Sequence, residues 1–289
     1  MRVLITGVKG QLGYDCFREL HHRGIKEILG VDKDELDITD EQTTKKFVKS
    51  FNPSVIIHCA GWTAVDKAEN EPEAVNKVNV LGTKHLTEVA SEIDAKIVYI
   101  STDYVFSGEG DNYYEVNDKT NPLSVYGLSK LNGEKEVIKT KKHFVIRTSW
   151  VFGINGNNFV KTMLKLSDSY QKISIVSDQI GSPTYTRDLA NLICDMIETE
   201  KYGVYHATNE GICSWYEFAK EIFKQAGHRV DVQPVSTQDY LKTKPLKAER
   251  PLNSRLSKKS LDIAGFKRLP EWKDALHRYL KELKVVWKY

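Results

Sequence analysis

Short apolar runs recur along the first half of the chain, each closed by glycine, proline, asparagine or charge, and stretches with apolar residues at helical spacing separate them. Five runs predict strands: Arg2-Val3-Leu4-Ile5-Thr6, Glu27-Ile28-Leu29-Gly30-Val31-Asp32, Val55-Ile56-Ile57-His58, Lys96-Ile97-Val98-Tyr99-Ile100 and Phe144-Val145-Ile146-Arg147-Thr148. An amphipathic stretch to about His22 follows the first. Thr39-Asp40-Glu41-Gln42 resembles a capping box that opens a helix running to Phe51, where Asn52-Pro53 stops it. A long helical pattern spans about Pro72 to Ile93, and a further helix opens at Tyr126. Strands alternating with helices predict an α/β chain with a parallel, doubly wound sheet and right-handed crossovers.

After Trp150 the pattern loosens, and loops rich in Gly, Asn, Ser and Pro separate shorter elements. A strand is expected at Ile173-Ser174-Ile175-Val176, helices near Arg187 to Glu198 and Ser214 to Ala226, an irregular stretch over 236 to 256, and a terminal helix near Glu271 to Leu283. The organisation expected is therefore a nucleotide-binding domain with the catalytic residues over 1–150 and a smaller, mixed, mainly substrate-binding lobe over 151–289, with some chain crossing back. There is no internal repeat and no low-complexity segment.

Charge narrows the function classes. The 42 basic and 39 acidic residues are interspersed and leave a net +3, so neither the basic stripe of a nucleic-acid binder nor a polybasic membrane patch is present. The apolar start is too short for a signal peptide and no run is long enough to span a membrane, from which a soluble, cytoplasmic protein is expected. Cys16, Cys59, Cys194 and Cys213 lie far apart, with no C-x-x-C and no His at ligand spacing, and read as structural thiols. His58, ending an apolar strand, reads as a packed core residue.

Two places carry candidate chemistry. The first strand runs into Gly7-Val8-Lys9-Gly10-Gln11-Leu12-Gly13 and then a helix; glycines permit a tight turn, and the helix N-terminus offers N–H groups and its positive dipole end to a pyrophosphate. The second strand ends in Asp32, about 20 residues further on, where a dinucleotide fold places the acceptor for the adenosine ribose hydroxyls. That favours NADH, while Lys33 leaves room for NADPH. Cys59-Ala60-Gly61 closes the third strand with small residues suited to a cofactor at the carboxyl edge of a Rossmann-type sheet. The other place is Tyr126-Gly127-Leu128-Ser129-Lys130, where a phenol and an ammonium share one helix face. Tyr216/Lys220 and Tyr240/Lys244 repeat that spacing, but only Tyr126/Lys130 follows a buried strand that ends in the hydroxyl pair Ser101-Thr102. Tyr216, beside Trp215 and Phe218, reads as a core-edge packing pair with Lys220.

Taken as a set, these stretches resemble the dTDP-4-dehydrorhamnose reductase family of the extended short-chain dehydrogenase/reductase superfamily. The likeness is carried by Thr6-Gly7 through Gly13, Leu36-Asp37-Ile38-Thr39-Asp40, Thr63-Ala64-Val65-Asp66-Lys67-Ala68-Glu69, Ser101-Thr102-Asp103-Tyr104-Val105-Phe106, Tyr126 to Lys130, Arg147-Thr148-Ser149-Trp150-Val151 and Gly181-Ser182-Pro183-Thr184, with Arg250-Pro251 and Asn253-Ser254 as later markers. It implies NAD(P)H-dependent reduction of the 4-keto group of dTDP-4-dehydro-L-rhamnose, a step in nucleotide-sugar and cell-surface polysaccharide biosynthesis. Thr102, Tyr126 and Lys130 are the implied catalytic residues, Tyr126 as proton donor with Lys130 drawing its pKa toward the working range. Gly7, Gly10, Gln11, Leu12, Gly13, Asp32, Asp37, Ile38, Cys59, Ala60 and Gly61 are the implied cofactor contacts, together with Tyr126 and Lys130. Val65, Asp66, Asp103, Tyr104, Trp150 and Arg250 are the implied substrate contacts, Arg250 as a diphosphate clamp. Core packing at a strand end is an equal reading for Trp150, and a solvated charge is nearly so for Arg250.

The resemblance also implies a homodimer and raises a shared Mg²⁺, for which Asp15 and Asp188 are the matching positions. Two short carboxylates are too few for a Mg²⁺ shell, and no metal is included in the expected site. Two rival readings stay open: a sugar-nucleotide dehydratase or epimerase that keeps NAD bound, and a reductase-like regulatory subunit without catalysis.

Overall fold

The computed structural model describes residues 1–243 and 246–286. In chain order the main elements are β1 (Arg2–Thr6), α1 (Gln11–His22), β2 (Glu27–Val31), α2 (Glu41–Phe51), β3 (Val55–His58), α3 (Thr83–Glu92), β4 (Lys96–Thr102), α4 (Val125–Val137), β5 (His143–Thr148), α5 (Phe159–Ser167), α6 (Thr186–Ile197), β6 (Gly203–His206), α7 (Trp215–Ala226) and α8 (Trp272–Val286). Six strands form one parallel sheet in the order β6-β5-β4-β3-β1-β2. The strand order reverses beside β1, so the carboxyl ends of β1, β3, β4 and β5 face one crevice, the place where such sheets bind ligands. The pairings Thr6 to His58, His58 to Tyr99 and Thr102 to Thr148 mark that edge.

Both faces of the sheet are covered, which is why β1, β3 and β4 read as continuous apolar runs. On one face Val3, Ile5 and Ile57 pack against Leu12, Cys16 and Leu20 of α1 and Leu189 and Ile193 of α6. On the other, Leu4, Ile56 and Ile97 meet Val48 of α2 and Leu86 and Val89 of α3. The four cysteines are free, and Cys16 and Cys194 belong to the first of these cores. His58 is buried, with Thr6 Oγ1 at 2.8 Å from one ring nitrogen and Thr83 Oγ1 at 3.0 Å from the other; burial holds its pKa down to about 3.

The helix cap at α2 differs from expectation. Asp40 is the N-cap, accepting from the Thr43 N–H at 2.8 Å, because both the N–H and the hydroxyl of Thr39 are already committed to Asp37 Oδ1. A full capping box does occur at α7, where Ser214 and Glu217 satisfy each other's backbone N–H groups. The helical stretch from Pro72 is continuous but widens into a π turn over Lys77–Gly82 before α3.

Beyond Trp150 the chain builds the lobe and also returns to the sheet through α6 and β6. The lobe core gathers Phe152, Val160, Phe218, Ile222, Trp272 and Tyr279. Lys172–Val176 pairs in parallel with Asp231–Val235. A three-stranded ribbon joins Ile180–Gly181 to Cys213–Ser214 and Asn253–Ser254. Within the stretch expected to be irregular, Thr237–Thr243 is helical, and Lys259–Ala264 forms another helix after it. Lys244 of the Tyr240/Lys244 pair lies outside the described residues. Among the described residues no helix is long and apolar enough to cross a membrane.

Candidate active site

The glycine turn is shaped by close approach. Gly7 has φ +73°, and a Cβ there would stand 2.6 Å from Ala60 N, while one on Gly13 would stand 2.2 Å from Gly7 O. Turn and strand end are thereby pressed together, and Ala60 N–H donates to Thr6 Oγ1 at 3.3 Å. At the start of α1 Gly10 provides no side-chain cap, which leaves the first N–H groups free for an anion. Gln11 begins the helix and accepts from Asn158 Nδ2 at 3.0 Å, and the Leu12 side chain packs into the core beneath. Asp32 accepts from the Lys9 N–H at 2.6 Å, so the acidic end of β2 is tied to the glycine turn. Lys9 Nζ is engaged by Glu35 at 3.2 Å and Asp34 at 3.6 Å, and Lys33 points to solvent. Asp37 folds into its own turn onto Thr39, and Ile38 is buried against Gly82. Neither side chain is aimed at the glycine turn by any bond it makes.

Across the crevice, β4 delivers Thr102 and α4 delivers Tyr126 and Lys130. Ser124 caps α4, accepting from the Gly127 N–H at 3.1 Å. Gly127 admits no side chain, since a Cβ would lie 2.3 Å from the Tyr104 carbonyl oxygen; its bareness lets the helix start against the Thr102-Asp103-Tyr104 turn. The Tyr126 ring meets Tyr104 edge-on at 5.6 Å, and the Thr102 hydroxyl holds its phenol pKa down against burial. Lys130 is buried, its Nζ lying 4.0 Å above the Tyr99 ring, and a Cβ on Gly61 would be 3.8 Å away.

The electrostatics differ from the simple expectation. Burial pushes the Tyr126 phenol above the ordinary tyrosine range; the Thr102 hydroxyl opposes this and the Asp103 charge adds to it. Lys130 is itself pushed down to about 7 by burial, with Glu134 and Cys59 working in the opposite direction. The Lys130 amine lies over Tyr99 and beside the Gly61 loop, and desolvation is the largest influence on both groups.

Several positioning residues were not foreseen. Asn79, presented by the π turn, accepts from Trp62 N at 2.7 Å and donates to Trp62 O at 3.1 Å and to Ser129 Oγ at 2.9 Å. Ser129 donates in turn to Tyr126 O at 2.7 Å, so one buried amide fixes the loop at Trp62 to helix α4. Beneath Lys130, Glu134 receives Arg147 through Nε at 3.0 Å and a second guanidinium nitrogen at 2.8 Å, and also the Ser101 hydroxyl. The only local signal was a polar residue at a buried helical position.

On the lobe side, Asp66 and Arg250 form a two-pronged pair at 2.6 and 3.2 Å, and the Lys247 and Ala248 N–H groups also donate to Asp66. Val65 opens the short helix that carries Asp66. Tyr104 stands between this pair and Tyr126, and both Asp103 and Arg250 act on its phenol. Asp103 is buried, accepting from Thr102 and from Ser254. Trp150 has φ +50° and stacks on Trp215 at 3.7 Å, with Gly181 close against the indole, so much of its surface is spent on packing. Lys220 Nζ lies 5.2 Å over the Tyr216 ring on α7.

The two aspartates considered for Mg²⁺ do not suit it. Asp188 is gripped by Arg278 at 2.6 and 2.8 Å and by Asn209 at 2.7 Å, and Asp15 by Thr186 and, at 3.3 Å, Arg18. Among the described residues no group of three or more His, Cys, Asp or Glu is arranged to hold a metal.

A free helix N-terminus at a glycine turn and a Tyr–Lys helix beside a hydroxyl-bearing strand end share one crevice, and that placement defines a dinucleotide-dependent oxidoreductase of the short-chain type. The chain belongs to the family described as RmlD substrate binding domain, which matches residues 1–285. It is similar to the dTDP-4-dehydrorhamnose reductase of Aggregatibacter actinomycetemcomitans, 41% identical over 95% of this chain and 97% of that protein. Among solved structures it is similar to a dTDP-4-dehydrorhamnose reductase of Clostridium acetobutylicum, 41% identical with TM-score 0.94 over 98% of this chain and 100% of that one. It is similar also to the Bacillus anthracis enzyme of the same name in complex with NADP, 42% identical with TM-score 0.93 over 97% and 99%.

Proposed function

We propose that this protein reduces the 4-keto group of dTDP-4-dehydro-L-rhamnose to give dTDP-L-rhamnose, taking a nicotinamide dinucleotide as co-substrate. The observation that carries the reading is the start of the Tyr126 helix packed against the Thr102-Asp103-Tyr104 turn, with the Tyr126 ring edge-on to Tyr104, at the edge of the crevice that the glycine turn opens. Gly7, Gly10 and Gly13 with the start of α1 would take the pyrophosphate, Asp32 the adenosine ribose, and the Cys59–Gly61 loop with Lys130 the nicotinamide ribose. The bound reduced nicotinamide supplies the hydride. Tyr126 gives the proton to the oxygen that becomes the alcohol; burial holds the phenol protonated at neutral pH, and the alkoxide that the hydride generates is the stronger base that takes its proton. Thr102 orients the keto oxygen. Arg250, released from Asp66, pairs with the diphosphate, since a guanidinium exchanges one bidentate oxyanion for another without rebuilding its geometry. NADH is expected to serve at least as well as NADPH because Asp32 repels a 2′-phosphate.

Tyr104 speaks against the dehydratase alternative. Where that chemistry needs a carboxylate base, Tyr104 offers a phenol that burial and Asp103 push above the ordinary range. The test is isotopic. With nicotinamide deuterated at the transferred position, the product should carry deuterium at C4 of the sugar; product without that label, or protein that arrives with tightly bound NAD and exchanges solvent hydrogen into the sugar, would overturn the reading.

A further inference from the structure

The one proton of Thr102 is already committed, and that commitment decides what it can offer a substrate. A hydroxyl has one proton and two acceptor positions. The proton goes to Asp103 Oδ1 at 2.9 Å, and the Tyr104 N–H at 3.2 Å occupies one acceptor position. In this arrangement Thr102 has nothing to donate to a keto oxygen. The other carboxylate oxygen, Oδ2, accepts from the hydroxyl of Ser254, on the lobe strand that pairs with Ile180–Gly181. Thr102, Asp103 and Ser254 are 6%, 3% and 2% exposed, so bulk water does not rearrange these bonds.

A protonated Asp103 inverts the chain. Ser254 donates to Oδ2, so the carboxyl proton must sit on Oδ1, the oxygen that faces Thr102. Thr102 then accepts from Asp103, still accepts from the Tyr104 N–H, and is left with its own proton to give. We propose that Asp103 and Ser254 are positioning residues for the reduction: Asp103 in its protonated form, with Ser254 assigning the proton to Oδ1, turns Thr102 into a donor to the keto oxygen beside Tyr126. The inference rests on the function proposed above, and it gives Asp103 a role behind Thr102 in place of a direct contact with the sugar. No net proton passes along the chain. The hydride and the Tyr126 proton complete the alcohol, and Asp103 and Thr102 keep theirs.

Burial raises the Asp103 carboxyl to about 6, the hydroxyls of Ser254 and Thr102 offsetting part of the rise, which brings the protonated form within reach of neutral pH. The groups that face it are the Thr102 hydroxyl and Tyr104 from its own turn, Ser254 from the lobe strand, and the Tyr126 phenol from α4; Arg250 and Asp66 act on the neighbouring Tyr104.

Asp103→Asn tests this directly, because the amide keeps a donor for Thr102 and an acceptor for Ser254 at every pH. The ratio of its kcat to that of the wild type should lie near one at pH 6 and rise by about tenfold or more by pH 8, as the wild-type carboxyl ionises and Thr102 ceases to donate. Titration of Lys130 is common to both proteins and cancels in the ratio. A flat ratio, or one tenfold below unity throughout, overturns the proposal. Ser254→Ala should lower kcat by about tenfold with KM and dinucleotide affinity unchanged, and Ser254→Thr should restore it; a change confined to KM removes Ser254 from the account. Infrared difference spectra, wild type minus Asp103→Asn, give a readout without turnover. A protonated carboxyl band at pH 5 that is lost by pH 8 supports the relay, and its absence at pH 5 overturns it, whereas a wild type that reduces no sugar nucleotide overturns only the functional reading.

Discussion

At the scale of single residues, the account places nearly all proton chemistry on Tyr126. Tyr126→Phe keeps the ring and its edge-on contact with Tyr104, so dinucleotide affinity should survive while kcat falls by about 10² to 10⁴. Lys130→Ala should reduce turnover and dinucleotide affinity together, read by steady-state kinetics and fluorescence titration. Gly127→Ala should be nearly as damaging as Tyr126→Phe for a different reason, because its Cβ has only 2.3 Å to the Tyr104 carbonyl and the start of α4 must move away from Thr102. The placement of Tyr126 and Lys130 on one helix and of Thr102 at a strand end was legible in the sequence, since a helix-face pair after a strand that ends in hydroxyls is a local pattern. Asn79 and Glu134 were not. Their partners Trp62, Ser129 and Arg147 come from other segments, and no spacing along the chain announces a bond that only folding creates. Adjacency in the motif suggests charge stabilisation, whereas burial, invisible in a short motif, pushes the phenol up and the ammonium down.

At the scale of elements, the five long apolar strands and the helices between them were readable because a sheet covered on both faces needs uninterrupted apolar runs. The sixth strand, Gly203–His206, was missed, being short, glycine-led and identifiable only by its pairing with β5. Helix α5 was hidden behind a Gly- and Asn-rich approach, though Asn158 caps it by accepting from Lys161 N at 3.0 Å. The joint between β2 and the glycine turn carries the cofactor prediction. Asp32→Ala should raise the NADPH-to-NADH ratio of kcat/KM, and a wild-type preference for NADPH above about tenfold would contradict the role given to Asp32. The joint between Val65–Ala68 and the 246–250 loop carries another. Arg250→Ala should raise KM for the nucleotide sugar and leave dinucleotide affinity unchanged, measured by initial rates at varied concentrations of each.

At the scale of the whole molecule, α1, α6 and α8 meet in a charged cluster away from the crevice, and its titration is a test of packing and not of catalysis. Burial raises Asp15 to about 6, against bonds from Thr186 and Arg18 that lower it. A folded pKa above the unfolded value of about 3.9 means that its contribution to stability is present below that value and is lost as pH rises through about 6. Asp15→Asn should therefore melt on the order of a few degrees above the wild type at pH 8 and at the same temperature near pH 4. Added chelator should leave oligomeric state and melting unchanged, since Asp188 is already paired with Arg278 and the described residues hold no group of three or more metal-ligating side chains.

The crevice between sheet and lobe is where the central claim is decided, and one assay addresses it. Purified protein is incubated with dTDP-4-dehydro-L-rhamnose and NADH or NADPH, and the absorbance of the reduced nicotinamide is followed. The account predicts that it falls only when the keto sugar is present, in proportion to dTDP-L-rhamnose formed, and that Tyr126→Phe abolishes the change. Conversion of dTDP-glucose to its 4-keto-6-deoxy product without added reductant, together with no consumption of NADH or NADPH on the keto sugar, would contradict it.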